Sequence, residues 1–573
     1  MRALLITPGT SSEQLRRLPR KWDRVFDLGV AGPTTYESWE RLLQCPIEPL
    51  PKLDDEDTRQ IRKVLSNGAS QLVDEHGLDW WDLSFFDYHE QLEQLRKLRR
   101  VAGKLNAGDE IFVTKQGFHA QALQVLMGRP VTCLLRGNAL AQKLRHYARL
   151  TTKLSPSQLL QIAGDKYDSG YQFRRLFSIR EQPCERPVVL LPSAYINVTR
   201  TALQYAETAP QTDFLLVTTR QSGWVTAPPA NVKVAKLASY ACAGSSRIEF
   251  ESLLRQWNKL KDDLMHFEDS AILHRMGLLE SFPKSLRNRL LIRDAWLQVL
   301  RREPVRAVLC ADDANPSTRI PLLLAERQGL PAISCHHGAL DGRHRYRPPQ
   351  NSLFLAKGPM ERDYLANACQ SSQPVEVGAP QSREFSRRNS GKSTASVVFF
   401  SEPYEILGGR ALEFYGEILP ALSELALARG RELAIKLHPA ESLRERRRLV
   451  KKVLSSQQYN NVRFIGGPLR DELLGNTWFA VTVLSTTAVE CAVGGIPVFL
   501  CTWLDYSNYG YIAQFIKFGA GIAMQAPGDI ARIPDMLEKF APTPPTEFWE
   551  AMRPERLQEI LSQPERARLA AAV

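Results

Sequence analysis

Short apolar runs that stop at polar or glycine- and proline-containing turns alternate along the chain with amphipathic stretches, a pattern that predicts strands alternating with helices. Residues 3–7 and 24–28 read as strands, 56–74 and 89–105 as helices, and 110–114 and 130–135 again as strands. EQPCERP at 181–187 combines proline and charge and marks an expected domain boundary. Past it, LLPSAYINVTRTALQYAETAPQTDFLLVTTR reads as strand, loop, helix and strand. Residues 245–302 carry apolar positions at helical spacing between dense charges and predict inserted or connecting helices. Strands follow at 307–310 and 332–335, with a helix at 318–329 between them, and again at 353–356 and 374–378.

SREFSRRNSGKSTAS, at 382–396, is polar and predicts a linker into a last α/β region. That region begins with a strand at 396–400 and a helix near 411–428, then a strand at 433–437 ending in His438-Pro439. A basic helix and a strand at 462–465 come next, and a buried strand at 479–484 leads into Ser485-Thr486-Thr487. The helix after these hydroxyls stops at Gly494-Gly495 and Pro497. Four or five strands with helices between them make a doubly wound sheet. The chain therefore divides into an N-terminal α/β region at 1–182, α/β domains at 183–392 and 393–545, and a C-terminal helical tail at 546–573.

In such sheets ligands gather beyond the carboxyl ends of the strands, so the polar groups there are the candidates. Pro439 holds His438 extended, where its ring either donates to a phosphate oxygen or caps the turn. Ser485, Thr486 and Thr487 stand where a helix N-terminus favours an anion. Thr487-Ala-Val-Glu490 also reads as a capping box, which accounts for two of these residues without a ligand. Ser401 and Glu402 end the first strand of the same sheet and face the same crevice. In the preceding domain Ser193, Tyr195 and Asn197 occupy a loop at a strand end, and Arg220 follows the next strand as a candidate anion contact. Asp312, Asp313 and Asn315 follow another strand as base, sugar-hydroxyl binder or helix caps, and His336-His337-Gly338 follow the next. Residues 114–119, TKQGFH, end a strand near the N-terminus and fit either a ligand contact or simple turn chemistry.

An apolar strand ending in Lys-Leu-His-Pro, followed by Ser-Thr-Thr-Ala-x-Glu and Gly-Gly-x-Pro, resembles the donor domain of bacterial surface-polysaccharide transferases of the GT-B fold. CMP-sugar-dependent sialyl- and Kdo-transferases and CDP-glycerol glycerophosphotransferases show similar patterns. The resemblance implies two Rossmann-like doubly wound domains with the N-terminal α/β region added. It also implies that the His438-Pro439 pair and Ser485, Thr486 and Thr487 contact the phosphate of a cytidine nucleotide; in a transferase model Glu490 would bind the ribose, and Ser401 and Glu402, by their place at a strand end, would lie on the same donor side. The His-Gly after a buried strand is similar to that of polyol-phosphate transferases, which points to His337 as base, with Asp313 as the other candidate. Ser193, Tyr195, Asn197 and Arg220 would then meet a glycan or lipid-linked glycan acceptor. Domain closure would exclude water, so that the acceptor rather than hydroxide attacks. The alternatives are a hydrolysing nucleotide-sugar epimerase, a CDP-polyol phosphotransferase and a non-catalytic glycan- or nucleotide-binding subunit.

Composition narrows this picture. At 573 residues, 44% hydrophobic and 24% charged, the chain is a folded multidomain protein rather than a disordered one. MRALLITPGT reads as a first strand, and no apolar run reaches the roughly 18 residues of a membrane span, so a cytoplasmic location is expected. The nine cysteines are scattered without a CxxC pair and predict reduced core thiols. The net charge of +12 asks for an anionic partner, and clusters at 95–100, 173–180 and 443–452 are read as solvated helix faces. With no aromatic-glycine signature beside them a nucleic-acid partner is not expected, whereas peripheral contact with an anionic membrane is compatible. His336, His337, Asp341 and His344 match no zinc spacing, and neighbouring histidines at a strand end are expected on opposite faces. No metal and no cofactor is expected, the leaving-group charge falling to helix dipoles and His or Arg side chains.

Overall fold

The computed structural model describes residues 1–135, 163, 182–241, 247–338, 340, 342–347, 353–380, 395–405, 409–506 and 510–562. The basic cluster at 173–180, Asp341 and nearly all of the 382–396 linker lie outside the described residues. The chain forms two compact units, each assembled from three separate stretches. Met1–Leu53, Gln94–Arg149 and Arg383–Glu547 make the first, and Asp54–Glu93, Leu150–Ser382 and Phe548–Val573 the second. Residues 1–182 thus contribute to both.

The first unit contains two parallel sheets. Its N-terminal sheet comprises β1 (Arg2–Ile6), β2 (Arg24–Asp27), β3 (Ile47–Pro49), β4 (Glu110–Val113) and β5 (Thr132–Cys133), in the order β3-β2-β1-β4-β5. The second unit holds the middle sheet: β6 (Val188–Ser193), β7 (Phe214–Thr218), β8 (Val232–Lys236), β9 (Val305–Cys310), β10 (Ala332–Cys335), β11 (Leu353–Ala356) and β12 (Val375–Val377), ordered β12-β11-β10-β9-β6-β7-β8. The C-terminal sheet, again in the first unit, comprises β13 (Ser396–Phe400), β14 (Leu433–Lys436), β15 (Val462–Ile465), β16 (Thr477–Thr482), β17 (Val498–Cys501) and β18 (Ile522–Met524), ordered β15-β14-β13-β16-β17-β18. All three sheets follow one plan. The first strand lies centrally, the chain steps outward on one side, and it then returns to build the other. Each sheet therefore has a switch point, at β1/β4, β6/β9 and β13/β16, where the loops diverge and open a crevice. The N-terminal region is thus itself a doubly wound sheet.

Sequence accounts for the parallel topology. β6, β7 and β13 are buried at every position, and a strand covered by helices on both faces needs an unbroken apolar run rather than alternation. In the second unit, Met552 and the terminal helix Pro554–Ser562 join the core of the middle sheet through Leu557, Ile560 and Leu561. Each such side chain stabilises by about 1.5–3 kcal/mol, which ties this late segment firmly to the sheet.

In the first unit Arg410, at the N-cap of the helix Ala411–Ala428, forms a bidentate pair with Asp27 at the end of β2, at 2.5 and 2.6 Å. Both side chains are buried, and a Cβ on Gly29 would lie 2.9 Å from Arg410 Cζ, so glycine there leaves room for the guanidinium. Glu417, two turns further along, accepts from the backbone N–H groups of Thr34 and Thr35 in the first turn of the helix Pro33–Leu43, where the helix dipole favours a carboxylate. The N-terminal and C-terminal sheets are thereby joined by charge as well as packing.

Eight of the cysteines lie among the described residues, and six of them are buried. No described helix is long and apolar enough to cross a membrane.

Candidate functional site

At the β6/β9 switch point of the middle sheet, the polar strand ends converge. Tyr195 follows β6 and caps the helix Ile196–Thr208, while Asp312 follows β9 and His337 follows β10. The Tyr195 hydroxyl donates to Asp312 Oδ2 at 2.9 Å and lies 3.3 Å from His337 Nε2, with the two rings edge to face. Asp312 Oδ1 accepts from the Ala314 N–H at 3.1 Å, and a bridge between Asp312 and His336 pins the ends of β9 and β10 together. A carboxylate, a phenol and an imidazole thus form one chain along which a proton can move. Tyr195 and His337 are half-buried, with His337 Nε2 turned to Tyr195 and Nδ1 enclosed.

Asp313 does not join this chain. Its fully buried carboxylate lies 3.0 Å from His344 Nε2 and 3.9 Å from Arg319. Burial alone would raise its pKa, but His344 and then Arg319 hold it below the usual carboxylate range. Asp312 rather than Asp313 makes the contact with Tyr195, while Asp313 is engaged by His344, whose ring lies 5.9 Å from that of His336. Asn315 does cap the helix Pro316–Arg327, through the Ser317 N–H at 2.9 Å. The two histidines are not split between faces as expected. β10 ends at Cys335, and beyond it the His336 and His337 rings lie 4.5 Å apart and tilted by 32°.

Asp312, His336 and His337 each place a ligand atom within 4.8 Å of the others, which raises the question of a metal ion. The Gly338 N–H donates to His336 Nδ1 at 3.2 Å, which puts the single proton of the neutral ring on Nε2. Burial, reinforced by His337 and His344, depresses the His336 pKa and keeps the ring neutral. His336 Nε2 is buried without a hydrogen-bond partner, so this ring offers a donor suited to a ligand oxygen rather than a lone pair suited to a cation.

Of the expected acceptor residues, Tyr195 is in the cluster. Ser193 is buried against the Thr199 hydroxyl at 2.7 Å and organises its own loop. Asn197 is half-buried in the first turn of its helix, and Arg220 is exposed.

The C-terminal sheet has its own switch point, where β13 and β16 end. Glu402 is fully buried and accepts from the Thr482 hydroxyl at 3.0 Å, the Leu484 N–H at 2.7 Å and the Tyr506 hydroxyl at 2.7 Å. Burial pushes its pKa up, and these donors oppose that without cancelling it. Ser401 bonds Tyr415 at 2.7 Å and donates to Glu441 at 2.8 Å. Both residues, expected to face the donor, are instead taken up within the protein and hold its loops in place.

Glu441, which the sequence did not mark, also accepts from the His438 N–H at 2.7 Å and from Arg446 at 2.6 Å. Arg446 lies in the basic helix Leu443–Val453; it is buried, unlike the solvated face expected there, and pairs with Glu405 as well. The Leu-His-Pro end of β14 is thus clamped from below. His438 Nδ1 accepts from the Ala440 N–H at 3.1 Å, so the ring caps its own turn and carries its proton on Nε2. Ser485, Thr486 and Thr487 are half-buried beside the β13/β16 switch point, with the Ser485 and Thr487 hydroxyls 2.9 Å apart. The expected capping box is absent: the helix runs Thr487–Val493, Thr486 is its N-cap without a side-chain bond, and Glu490 is exposed. Ser485 Oγ does accept from the Thr487 N–H at 3.4 Å, so local turn bonding accounts for part of this hydroxyl cluster.

At the β1/β4 switch point of the N-terminal sheet, Thr7, Thr10 and Thr114 bond one another at 2.7–3.2 Å, and Lys115 donates to the Gly9 carbonyl. The 114–119 stretch is turn chemistry at its first two positions.

No protein-family model and no curated protein sequence matches the chain. Solved structures do resemble it in outline. The UDP complex of MnaA from S. aureus aligns at 11% identity and a TM-score of 0.40, over 67% of this chain and 98% of that one. The calicheamicin glycosyltransferase CalG4 aligns at 14% and 0.37, over 68% and 96%. UDP-GlcNAc 2-epimerase from Neisseria meningitidis, bound to UDP-GlcNAc, aligns at 13% and 0.35, over 67% and 100%. At these scores no residue role passes from those proteins to this chain.

Proposed function

We propose that the protein is a glycosyltransferase of the GT-B type that moves a sugar from a CMP-linked donor to a glycan acceptor of a bacterial surface polysaccharide. The observation that carries this reading is the Asp312–Tyr195–His337 chain at a strand-end crevice. His337 takes the proton of an acceptor hydroxyl as that oxygen bonds to the anomeric carbon and the bond from that carbon to the donor phosphate breaks. Tyr195 and Asp312 orient the imidazole and stabilise its charged form. Within the first unit, the Ser485 and Thr487 hydroxyls and the backbone N–H groups that follow them form, with His438, a candidate site for the phosphate of a cytidine nucleotide.

Incubation of the purified protein with CMP-Kdo, CMP-sialic acid, CDP-glycerol and UDP-sugars, each with a glycan acceptor, tests this. Transfer from a CMP-sugar that disappears in His337→Ala supports it. Thermal protection by UDP and never by a cytidine nucleotide would defeat the donor assignment.

A hydrolysing nucleotide-sugar epimerase is the second reading, since the Asp312 carboxylate could serve proton removal from carbon. Such an enzyme uses several acids, and here Asp313, Glu402 and Glu441 are already engaged by His344, Tyr506 and Arg446. Release of free UDP from a UDP-sugar without any acceptor would select it.

A further inference from the structure

In the first unit, the short helix Ser12–Leu15 and the helix Pro33–Leu43 border a concavity of about 400 Å³ whose lining contains none of the strand-end groups described above. Trp39 and Leu42 provide its apolar side, and the buried Trp39 is fixed there because its Nε1–H donates to Ser12 Oγ at 2.9 Å. Arg16, Arg20 and Arg41 also line it, all three exposed, and no carboxylate does.

Three of the nearby acids are engaged elsewhere. Glu13 pairs with Arg17 at 2.8 Å, Glu40 accepts from the Ile47 N–H at 2.9 Å, and Glu413 accepts from the Ser12 hydroxyl at 3.4 Å. Arg41 Nε donates to the Glu37 carbonyl at 3.2 Å, which orients the guanidinium and leaves its two terminal nitrogens for another acceptor. Neither Arg16 nor Arg20 has a carboxylate within ion-pair distance among the described residues, whereas Arg24, Arg289, Arg410 and Arg446 all do.

Three guanidiniums lining one ligand-sized hollow without a counter-charge are what a polyanion needs. The planar fork of arginine matches phosphate oxygens in pairs, and roughly 300–1,000 Å³ is the ordinary size of a ligand pocket. We propose that this concavity binds a phosphoryl-bearing ligand through Arg16, Arg20 and Arg41, separately from the donor and acceptor groups. Its source is either a soluble phosphorylated compound or a phospholipid headgroup.

The full chain is titrated with pyrophosphate at constant ionic strength by calorimetry, and is co-sedimented with phosphatidylcholine vesicles with and without phosphatidic acid. The comparison is with the triple variant Arg16→Gln, Arg20→Gln, Arg41→Gln, whose exposed positions leave the thermal midpoint unchanged, and with Ser485→Ala/Thr487→Ala. In the Ser485→Ala/Thr487→Ala background, which removes the phosphate contacts proposed for the donor, loss of the three charge-assisted contacts weakens binding about 100-fold or more. A response to pyrophosphate identifies a soluble ligand, and a response to the acidic vesicles alone identifies a headgroup. Binding that survives the triple variant, or no binding to either probe, overturns the proposal.

Discussion

The Tyr195 hydroxyl has one proton and two neighbours that can take it, so Asp312 on one side sets what the phenol offers His337 on the other. His337→Ala should lower kcat by about 10²–10⁴-fold, the usual contribution of a positioned base, with little change in the thermal midpoint. Asp313→Asn should do the reverse. It leaves His344 and Arg319 facing a neutral group in the interior, at a cost of about 3–5 kcal/mol measured by chemical denaturation. His336 adds a pH signature. Its pKa is depressed in the folded state, so its contribution is complete above the unfolded value of about 6.5 and is lost as pH falls below it, by up to about 1.4 kcal/mol per pH unit. The thermal midpoint of His336→Gln should therefore vary less between pH 6.5 and 5 than that of the parent. At this scale the sequence is legible only in part. It shows that Asp312, Asp313, His336 and His337 end strands, but which of two adjacent side chains faces the crevice depends on a turn of backbone beyond the strand. Tyr195 was visible as a loop residue and not as a bridge, because its partners are 117 and 142 positions away.

Among the elements, the strands were the most legible, because a strand buried on both faces writes itself as an unbroken apolar run. The turns after them were not. Ser401 and Glu402 sit at a switch point, as their place after β13 implied, but Glu402 is spent on Thr482, Leu484 and Tyr506, and only the fold brings those three donors together. The carboxylate thereby sets the course of the loop that leads to Ser485. Glu402→Gln should cost about 1.5–3 kcal/mol by urea unfolding, since an amide cannot accept at both positions, and should weaken nucleotide-induced thermal stabilisation as the loop shifts. Were nucleotide binding unchanged while stability fell, the loop's tie to the nucleotide would be refuted. The helix Thr487–Val493 teaches a related point: its sequence satisfies a capping rule that its geometry does not use.

For the whole molecule, alternating patterning correctly announced parallel α/β sheets, yet gave no sign that the N-terminal and C-terminal sheets share a unit. That information sits in pairs such as Asp27 with Arg410, which no local pattern reports. Arg410→Met alone should destabilise the first unit by about 3–5 kcal/mol, because Asp27 is left buried and unpaired, whereas Asp27→Leu with Arg410→Met should recover most of that loss. A denaturation double-mutant cycle checks this, and additive effects would mean that the pair does not join the two sheets. A fragment spanning 395–547 should fail to fold cooperatively, since it lacks the Asp27 carboxylate and the Thr34 and Thr35 amides that engage Arg410 and Glu417.

The same pair has a meaning on the ribosome. Asp27 and Arg410 are 383 residues apart, so at about 5–20 residues per second the aspartate waits roughly 20–75 s for its partner to be synthesised. Through that interval the nascent N-terminal sheet carries a carboxylate that has the Gly29 N–H and the Tyr36 hydroxyl as donors but lacks its Arg410 counter-charge. Its final closure is therefore a late event of translation, and a stalled or truncated chain would present an unfinished sheet to chaperones and proteases.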